Sequence, residues 1–219
     1  MPPKLSDIVK SNEAHLAALS SPPVAVIVGG TSGIGQGMAE VLAKHRKGDV
    51  HLIIIGRNEE AALKILAGLP KPDDQSPCKH EFVKCDATLM KNVHATAQDI
   101  LGKHEKINYL VLCTGFLATQ RIETEEGNEA SLCVHYYSRW KFIDELLPAL
   151  QKAKDAGEEA KVLTVLSAGY GGKSIPTDNL GWKTFPSLAS RAQFMTTYND
   201  LMISVRQLVL HGRLSRVEN

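Results

Sequence analysis

Short runs of apolar, often β-branched residues recur along the chain and alternate with segments of helical periodicity. Short continuous runs of this kind fit strands that are buried on both faces of a parallel sheet. Strands that alternate with helices imply right-handed crossovers and a mostly parallel sheet. The predicted strands are Val24–Val28, 51–55, 81–85, 108–113 and 161–166. The sequence therefore predicts an α/β fold, a doubly wound parallel sheet with helices on both faces.

The segments between the strands carry apolar residues three and four positions apart, which is typical of helices with one buried face. The predicted helices cover 5–19, 59–69, 91–103 and roughly 126–150, and a last helix begins near Leu188. A further helix follows the glycine turn, with Met38, Val41 and Leu42 on one face. Ligands of such sheets bind beyond the carboxyl ends of the strands. We expect residues 1–219 to form a single domain, with an N-terminal helix and lead-in over 1–21 and the core over 22–219.

Composition and charge exclude several classes of function. Lys and Arg total 25 and Asp and Glu total 24, and this balance argues against nucleic-acid binding through bulk charge. The longest apolar runs are far shorter than the roughly 18 residues of a membrane-spanning helix, and the N-terminus lacks the apolar core of a signal peptide. The four cysteines form no Cys-x-x-Cys pair. We therefore expect a cytoplasmic protein with reduced thiols and no metal site.

A glycine-rich turn follows the first predicted strand directly and leads into a helix. Glycines at such a turn let the backbone approach a bound diphosphate, and the helix N-terminus offers its N–H groups to that anion. The position between a strand and a helix favours nucleotide binding over a purely structural turn, which is the alternative. The candidate cofactor-binding residues here are Gly29, Thr31, Ser32, Gly33, Ile34 and Gly35.

The spacing of Gly29, Gly33 and Gly35 resembles the Gly-x-x-x-Gly-x-Gly fingerprint of the short-chain dehydrogenase/reductase family, whose Rossmann-type sheet it implies. The family selects its cofactor at the end of strand two, where this chain has Arg57 and Asn58. A guanidinium can pair with a 2′-phosphate, so the resemblance implies NADP(H) rather than NAD(H). The alternative is a solvated surface arginine.

Three further candidates come from the ends of strands three and four. The resemblance makes Asp86, with Ala87 beside it, the residue that holds the adenine, although Asp86 could instead cap the following helix. The family usually carries Asn-Asn-Ala-Gly at the end of strand four. Only Gly115 matches it here, and its backbone can still pass close to the cofactor.

The catalytic pattern of the family is matched in part. Ser167 matches the catalytic serine, and His135 stands where the family has an asparagine that supports a proton-relay water. His135 could equally be a packed helix residue. Phe185 and Ala189 fall at the places of the Tyr-x-x-x-Lys pair, and Tyr198 is the nearest tyrosine on the last helix. Tyr170, Lys173 and Lys183 also lack the family spacing.

The resemblance implies an oxidoreductase that uses NADP(H) to move a hydride between nicotinamide and a small carbonyl or alcohol substrate. The segment 177–200 resembles a divergent fungal subgroup, which suggests a natural-product pathway. The alternative is a catalytically silent nucleotide-binding relative or partner subunit. The family usually adds one or two further strands, so we expect an open sheet edge beside strand five. Either the chain is a truncated product, or a second copy completes the edge in a homo-oligomer.

Overall fold

The computed structural model describes residues 3–172 and 174–210, and it shows five parallel strands in the order β3-β2-β1-β4-β5. The strands are β1 Val24–Val28, β2 His51–Gly56, β3 His80–Lys84, β4 Tyr109–Leu112 and β5 Lys161–Thr164. Lys173 and the segment 211–219 lie outside the described residues. The predicted doubly wound parallel sheet is confirmed.

Helices connect the strands and cover both faces of the sheet. The α-helices are α1 Leu5–Ala17, α2 Gly33–His45, α3 Glu59–Gly68, α4 Met90–Lys103, α5 Ala130–Leu132, α6 Ser138–Asp155 and α7 Leu188–Leu210. A π-helical turn over Cys133–Tyr137 joins α5 to α6, and a 3₁₀ turn spans Thr177–Asn179. No helix among the described residues is both long and apolar enough to cross a bilayer, and the same residues hold no cluster of His, Cys, Asp and Glu side chains suited to a metal.

Alternate residues of the central strands build two separate cores. Val26 and Val28 of β1 pack with residues of α4 and α6 on one face of the sheet. Ala25 and Ile27 pack with residues of α2 and α3 on the other face. Because both faces are covered, consecutive strand residues are all apolar, and this is why the strands appear in the sequence as continuous runs.

Strand β5 is at the edge of the sheet, as predicted, and pairs on one side with β4. Val162 and Leu163 remain 43% and 46% exposed. Both residues line a largely apolar groove of about 770 Å³ between α1, α2 and the β4–β5 side of the sheet. Strand β5 is therefore much less covered than β1, β2 and β4, the three strands inside the sheet.

The long helix differs from its predicted bounds of 126–150, because its α-helical part begins at Ala130 and α6 ends at Asp155. The carboxylate of Glu126 lies outside the helix and accepts hydrogen bonds from the backbone N–H groups of Met90 and Lys91, at 2.7 and 2.9 Å. Glu126 therefore caps the start of α4. At the other end, Gly157 has a φ of +74°, which stops the helix in the left-handed conformation.

Candidate active site

The glycine turn joins β1 to α2 and lies against the end of β4. Gly29 has a φ of +83°, and a Cβ built on it would lie 2.8 Å from the carbonyl carbon of Cys113 and from the N of Thr114. A Cβ on Gly35 would lie 2.4 Å from the carbonyl oxygen of Gly29. A side chain at Gly29 would push the turn away from the end of β4, and one at Gly35 would push α2 away from the turn, so the close packing requires glycine at both positions.

The first turn of α2 is open to a ligand. Gly33 has a φ of +58°, and a Cβ built there would meet no atom within 4 Å. Ser32 is the N-cap residue, but its side chain makes no capping hydrogen bond, and the first turn carries no acidic residue. Thr31 is half-buried, and Ser32 and Ile34 are exposed. Uncapped N–H groups at the positive end of a helix dipole favour an anion.

A basic pocket lies beside this turn, at the ends of β2 and β3. It has a volume of about 670 Å³ and is lined by Thr31, Ser32, Arg57, Asn58, Glu59 and Lys84. The side chain of Asn58 accepts a hydrogen bond from the N–H of Ala61 at 3.0 Å and so caps α3. Lys84 was not among the predicted residues. It reaches the pocket because it pairs with Gly56 across the β2–β3 ladder, next to Arg57.

Asp86 follows β3 and organises the turn that leads into α4. Its Oδ1 accepts hydrogen bonds from the N–H and the hydroxyl of Thr88, at 3.0 and 2.8 Å. The N-cap residue of α4 is Leu89, three residues after Asp86. Asp86 therefore stabilises the turn before the helix and is not the N-cap residue itself. Ala87 beside it is buried.

A second cleft, of about 350 Å³, lies beyond the carboxyl ends of β4 and β5. It is bounded by the loop 113–117, the π-helical turn, residues 165–167 and the start of α7. Gly115, His135 and Ser167 all line it, so the fold brings together three residues that are far apart in the sequence. The structure also places the end of β4 between this cleft and the glycine turn, since Gly29 contacts Cys113 and Thr114.

His135 lies on the π-helical turn and faces Gly115. A Cβ on Gly115 would lie 2.7 Å from Cε1 of the His135 ring, so a side chain there would displace the imidazole. Nε2 of His135 is 3.3 Å from the carbonyl oxygen of Phe116. Burial lowers the pKa of His135, and the positive charge of Arg139 acts in the same direction. His135 is therefore neutral at neutral pH.

Tyr198 is not brought to this cleft. Its side chain is 8% exposed and packs in a cluster with Leu132 and Trp182. The ring of Tyr136 lies 5.6 Å away, centroid to centroid. Burial raises the pKa of Tyr198, although the neighbouring side chain of Trp182 acts in the opposite direction. A phenol in these surroundings is poorly placed to exchange a proton with a substrate in the cleft.

Two buried arginines that line the cleft were missed by the sequence analysis. Arg139 of α6 donates to the carbonyl oxygens of Thr114 and Val165, both at 2.7 Å. Arg191 of α7 donates to the carbonyl oxygen of Ala118, also at 2.7 Å. Together they tie the loop after β4 to the two helices. Nothing in the sequence distinguishes them from arginines on a solvated helix face.

Comparison with known proteins agrees with this geometry. A family model described as short chain dehydrogenase matches residues 23–174. Oxidoreductase andH from Emericella variicolor is 38% identical over 179 residues, which are 81% of this chain and 50% of that protein. Oxidoreductase AN1596 from Emericella nidulans is 34% identical over 194 residues, 88% of this chain and 56% of that protein. The chain thus spans about half the length of these two relatives.

Solved structures show the same fold. The Pseudomonas aeruginosa RhlG/NADP active-site complex aligns with a TM-score of 0.62 and 18% identity, over 87% of this chain and 69% of that one. At this identity the likeness concerns the fold alone. The match of the family model over most of the core, together with the glycine turn and the parallel sheet, shows that the chain belongs to the short chain dehydrogenase family.

Proposed function

We propose that the protein is an NADP(H)-dependent oxidoreductase that transfers a hydride between nicotinamide and a carbonyl or alcohol. The observation that carries the proposal is the open first turn of α2, which lies beside the cations of Arg57 and Lys84. The relatives named oxidoreductase, and the structural neighbour solved as an NADP active-site complex, support it.

The residues present fit this cofactor. The space around Gly33 leaves room for a diphosphate against the backbone N–H groups. Two cations at the ends of β2 and β3 suit a 2′-phosphate. Among the residues described at the pocket lining, Glu59 at the start of α3 is the only one with a carboxylate that would bind ribose hydroxyls of NAD. Gly115 lets the backbone of the second cleft come close to the ring of His135.

The reaction would take place in the second cleft, where a bound nicotinamide supplies or accepts the hydride. The Ser167 side chain lies at the wall of the cleft and would orient the substrate oxygen through its hydroxyl. His135, neutral because of its burial, would donate its Nε2–H to the carbonyl of Phe116 and keep Nδ1 as an acceptor. Its ring would then hold a water or the substrate hydroxyl in place.

A second candidate function is cofactor binding without turnover. The observation that favours it is the buried hydroxyl of Tyr198, which leaves the cleft without this tyrosine as a proton donor. Steady-state assays on a panel of aldehydes, ketones and alcohols distinguish the two functions. Tight NADPH binding with no turnover across the panel would favour the binding protein, and turnover lost in Ser167→Ala would favour the enzyme.

The cofactor proposal is tested by fluorescence titration with NADPH and NADH. Arg57→Ala and Lys84→Ala should each weaken NADPH binding about tenfold, because each removes a charge-assisted contact, and should leave NADH binding nearly unchanged. Lys64→Ala is the matched control, since Lys64 is an exposed lysine of α3 paired with Glu60. Equal affinity of the unaltered protein for NADPH and NADH would contradict the proposal.

Three further expectations stay predictions. The relatives from Emericella support a fungal context, and a role in a natural-product pathway is the expectation that goes with it. Cytoplasmic location is expected from the sequence. A homo-oligomer is expected because the edge of β5 is open among the described residues, and sedimentation at several concentrations would detect it.

A further inference from the structure

Two guanidinium groups lie buried at the wall of the second cleft. The side chain of Arg139 comes from α6 and is 3% exposed, and that of Arg191 comes from α7 and is 5% exposed. Both line the same cleft as His135 and Ser167. Charged residues are rarely buried to this degree without a partner of opposite charge.

Neither guanidinium forms an ion pair with another described residue. Arg139 donates to the hydroxyl of Thr164 and to two backbone carbonyls. Arg191 donates to one carbonyl and lies over the ring of Phe185, 4.2 Å from its centroid. The Nε atoms of both arginines have no hydrogen-bond partner within the described part of the chain. Burial lowers the pKa of Arg139 to about 10, as expected of a cation without a counter-ion.

The acidic residues of this region do not neutralise the two cations. No residue described at the lining of the cleft carries a carboxylate. The buried carboxylate of Glu129 instead accepts hydrogen bonds from the hydroxyl of Ser131 and the N–H of Leu132, at 2.6 and 2.8 Å. The cleft therefore has a wall with two positive charges and a neutral imidazole.

We propose that this cleft accepts substrates that carry a carboxylate, with Arg191 as the residue that recognises the anion and Arg139 as a second positive charge beside it. The inference rests on the proposed function, since it names a class of substrate for the same site. A carboxylate suits the planar donors of a guanidinium, and it would supply the counter-charge that neither arginine has among the described residues.

The first test uses the unaltered protein and two probes of nearly equal size, phenylacetate and phenylacetamide. Isothermal titration is carried out with and without saturating NADPH. Phenylacetate should bind saturably under both conditions, and phenylacetamide should bind at least about tenfold more weakly, because a hydrogen bond to a charged acceptor is lost. Equal binding of the two probes would overturn the proposal.

The second test compares arginine variants. Arg191→Gln should weaken phenylacetate binding about tenfold, and Arg191→Lys should retain part of the binding. Arg121→Gln is the matched control, because Arg121 contacts the carbonyl of Trp182 at 3.1 Å but lies outside the cleft lining. If Arg191→Gln does not fold, the comparison of the two probes on the unaltered protein still decides.

Two results separate this proposal from the cofactor assignment. If NADPH abolishes phenylacetate binding, the cations serve the cofactor's own phosphates and the substrate proposal fails. Inorganic phosphate that binds as well as phenylacetate would also overturn it, since the site would then recognise anions in general. If the protein binds no NADPH but distinguishes the two probes, the carboxylate site stands and the proposed function fails.

Discussion

The side-chain amide of Asn199 on α7 donates to the backbone carbonyl of His135 at 3.1 Å and accepts a hydrogen bond from the indole N–H of Trp140, also at 3.1 Å. Asn199 is fully buried, and it joins α7 to the π-helical turn that carries His135. One amide thus fixes the position of a cleft residue without reaching the cleft itself.

Replacement of Asn199 by alanine should destabilise the fold by about 1–3 kcal/mol, because the N–H of Trp140 and the carbonyl of His135 would remain buried without this partner. Urea unfolding measures the change. Ser204→Ala on the exposed face of the same helix should change stability by less than about 0.5 kcal/mol. Equal stability of the two variants would show that the Asn199 bridge contributes nothing measurable.

Gly29→Ala should destabilise the glycine turn by about 1–3 kcal/mol and abolish NADPH binding. The added Cβ meets the backbone of Cys113 and Thr114, and the φ of +83° is unfavourable for alanine. Gly37→Ala is the matched change inside α2, where an added Cβ meets no atom within 4 Å. It should stabilise the helix by up to about 1 kcal/mol and preserve binding. Calorimetric melting and a binding titration check both variants, and unchanged stability and binding in Gly29→Ala would show that the turn tolerates a side chain at this position.

Stability should fall as the pH is lowered below 6.5, because burial lowers the pKa of His51, His80 and His135 from 6.5 in the folded protein. Between the folded pKa values and pH 6.5, the unfolded chain binds more protons than the folded one. The contribution of these neutral histidines to stability is therefore complete above pH 6.5, and it is lost as the pH falls through the folded pKa values. Urea unfolding between pH 5 and 8 measures the slope. His51→Phe keeps an aromatic ring beside His104, removes one titrating group and should flatten the curve. An unchanged slope would show that protonation of His51 does not contribute to this pH dependence.

Cys113 should react with iodoacetamide before the other three cysteines. It is half-buried at the second cleft, whereas Cys78, Cys85 and Cys133 are buried. Burial raises the pKa of Cys133 to about 12, so almost no thiolate is present there at pH 8. NADPH should slow the labelling of Cys113 if it occupies the cleft. Peptide mapping by mass spectrometry measures the order of labelling, with Cys113→Ser as the control. Labelling of Cys78, Cys85 or Cys133 before Cys113 would contradict the prediction.

The sheet could be predicted from the sequence because burial on both faces leaves a continuous apolar signal, as in Val24–Val28 and His51–Gly56. The start of the long helix could not, because Glu126 has the local preference of a helix residue and yet caps a helix 36 positions earlier in the chain. Contacts at such a distance leave no local pattern.

The candidate site was predictable where local geometry determines the residue type and unpredictable where tertiary packing does. Gly29 and Gly35 appear in the sequence as a turn because no other residue fits their positions. Lys84 lies beside Arg57 only because β3 pairs with β2. Tyr198 offers a hydroxyl in the sequence, but helix packing turns it toward Leu132 and Trp182. Burial of a guanidinium, as in Arg139, has no sequence signature of its own.

The π-helical turn over Cys133–Tyr137 changes the direction of the side chains that precede it relative to those of α6. A turn closed by i→i+5 hydrogen bonds holds one more residue than an α-helical turn, so the side chains on its two sides are offset by about 100°. A helical-wheel projection that treats 130–155 as uniform α-helix will therefore misplace the side chains on one side of the turn by about one residue position. Loss of a single residue there during evolution would rotate His135 off the cleft while the hydrophobic stripe of α6 stayed in register.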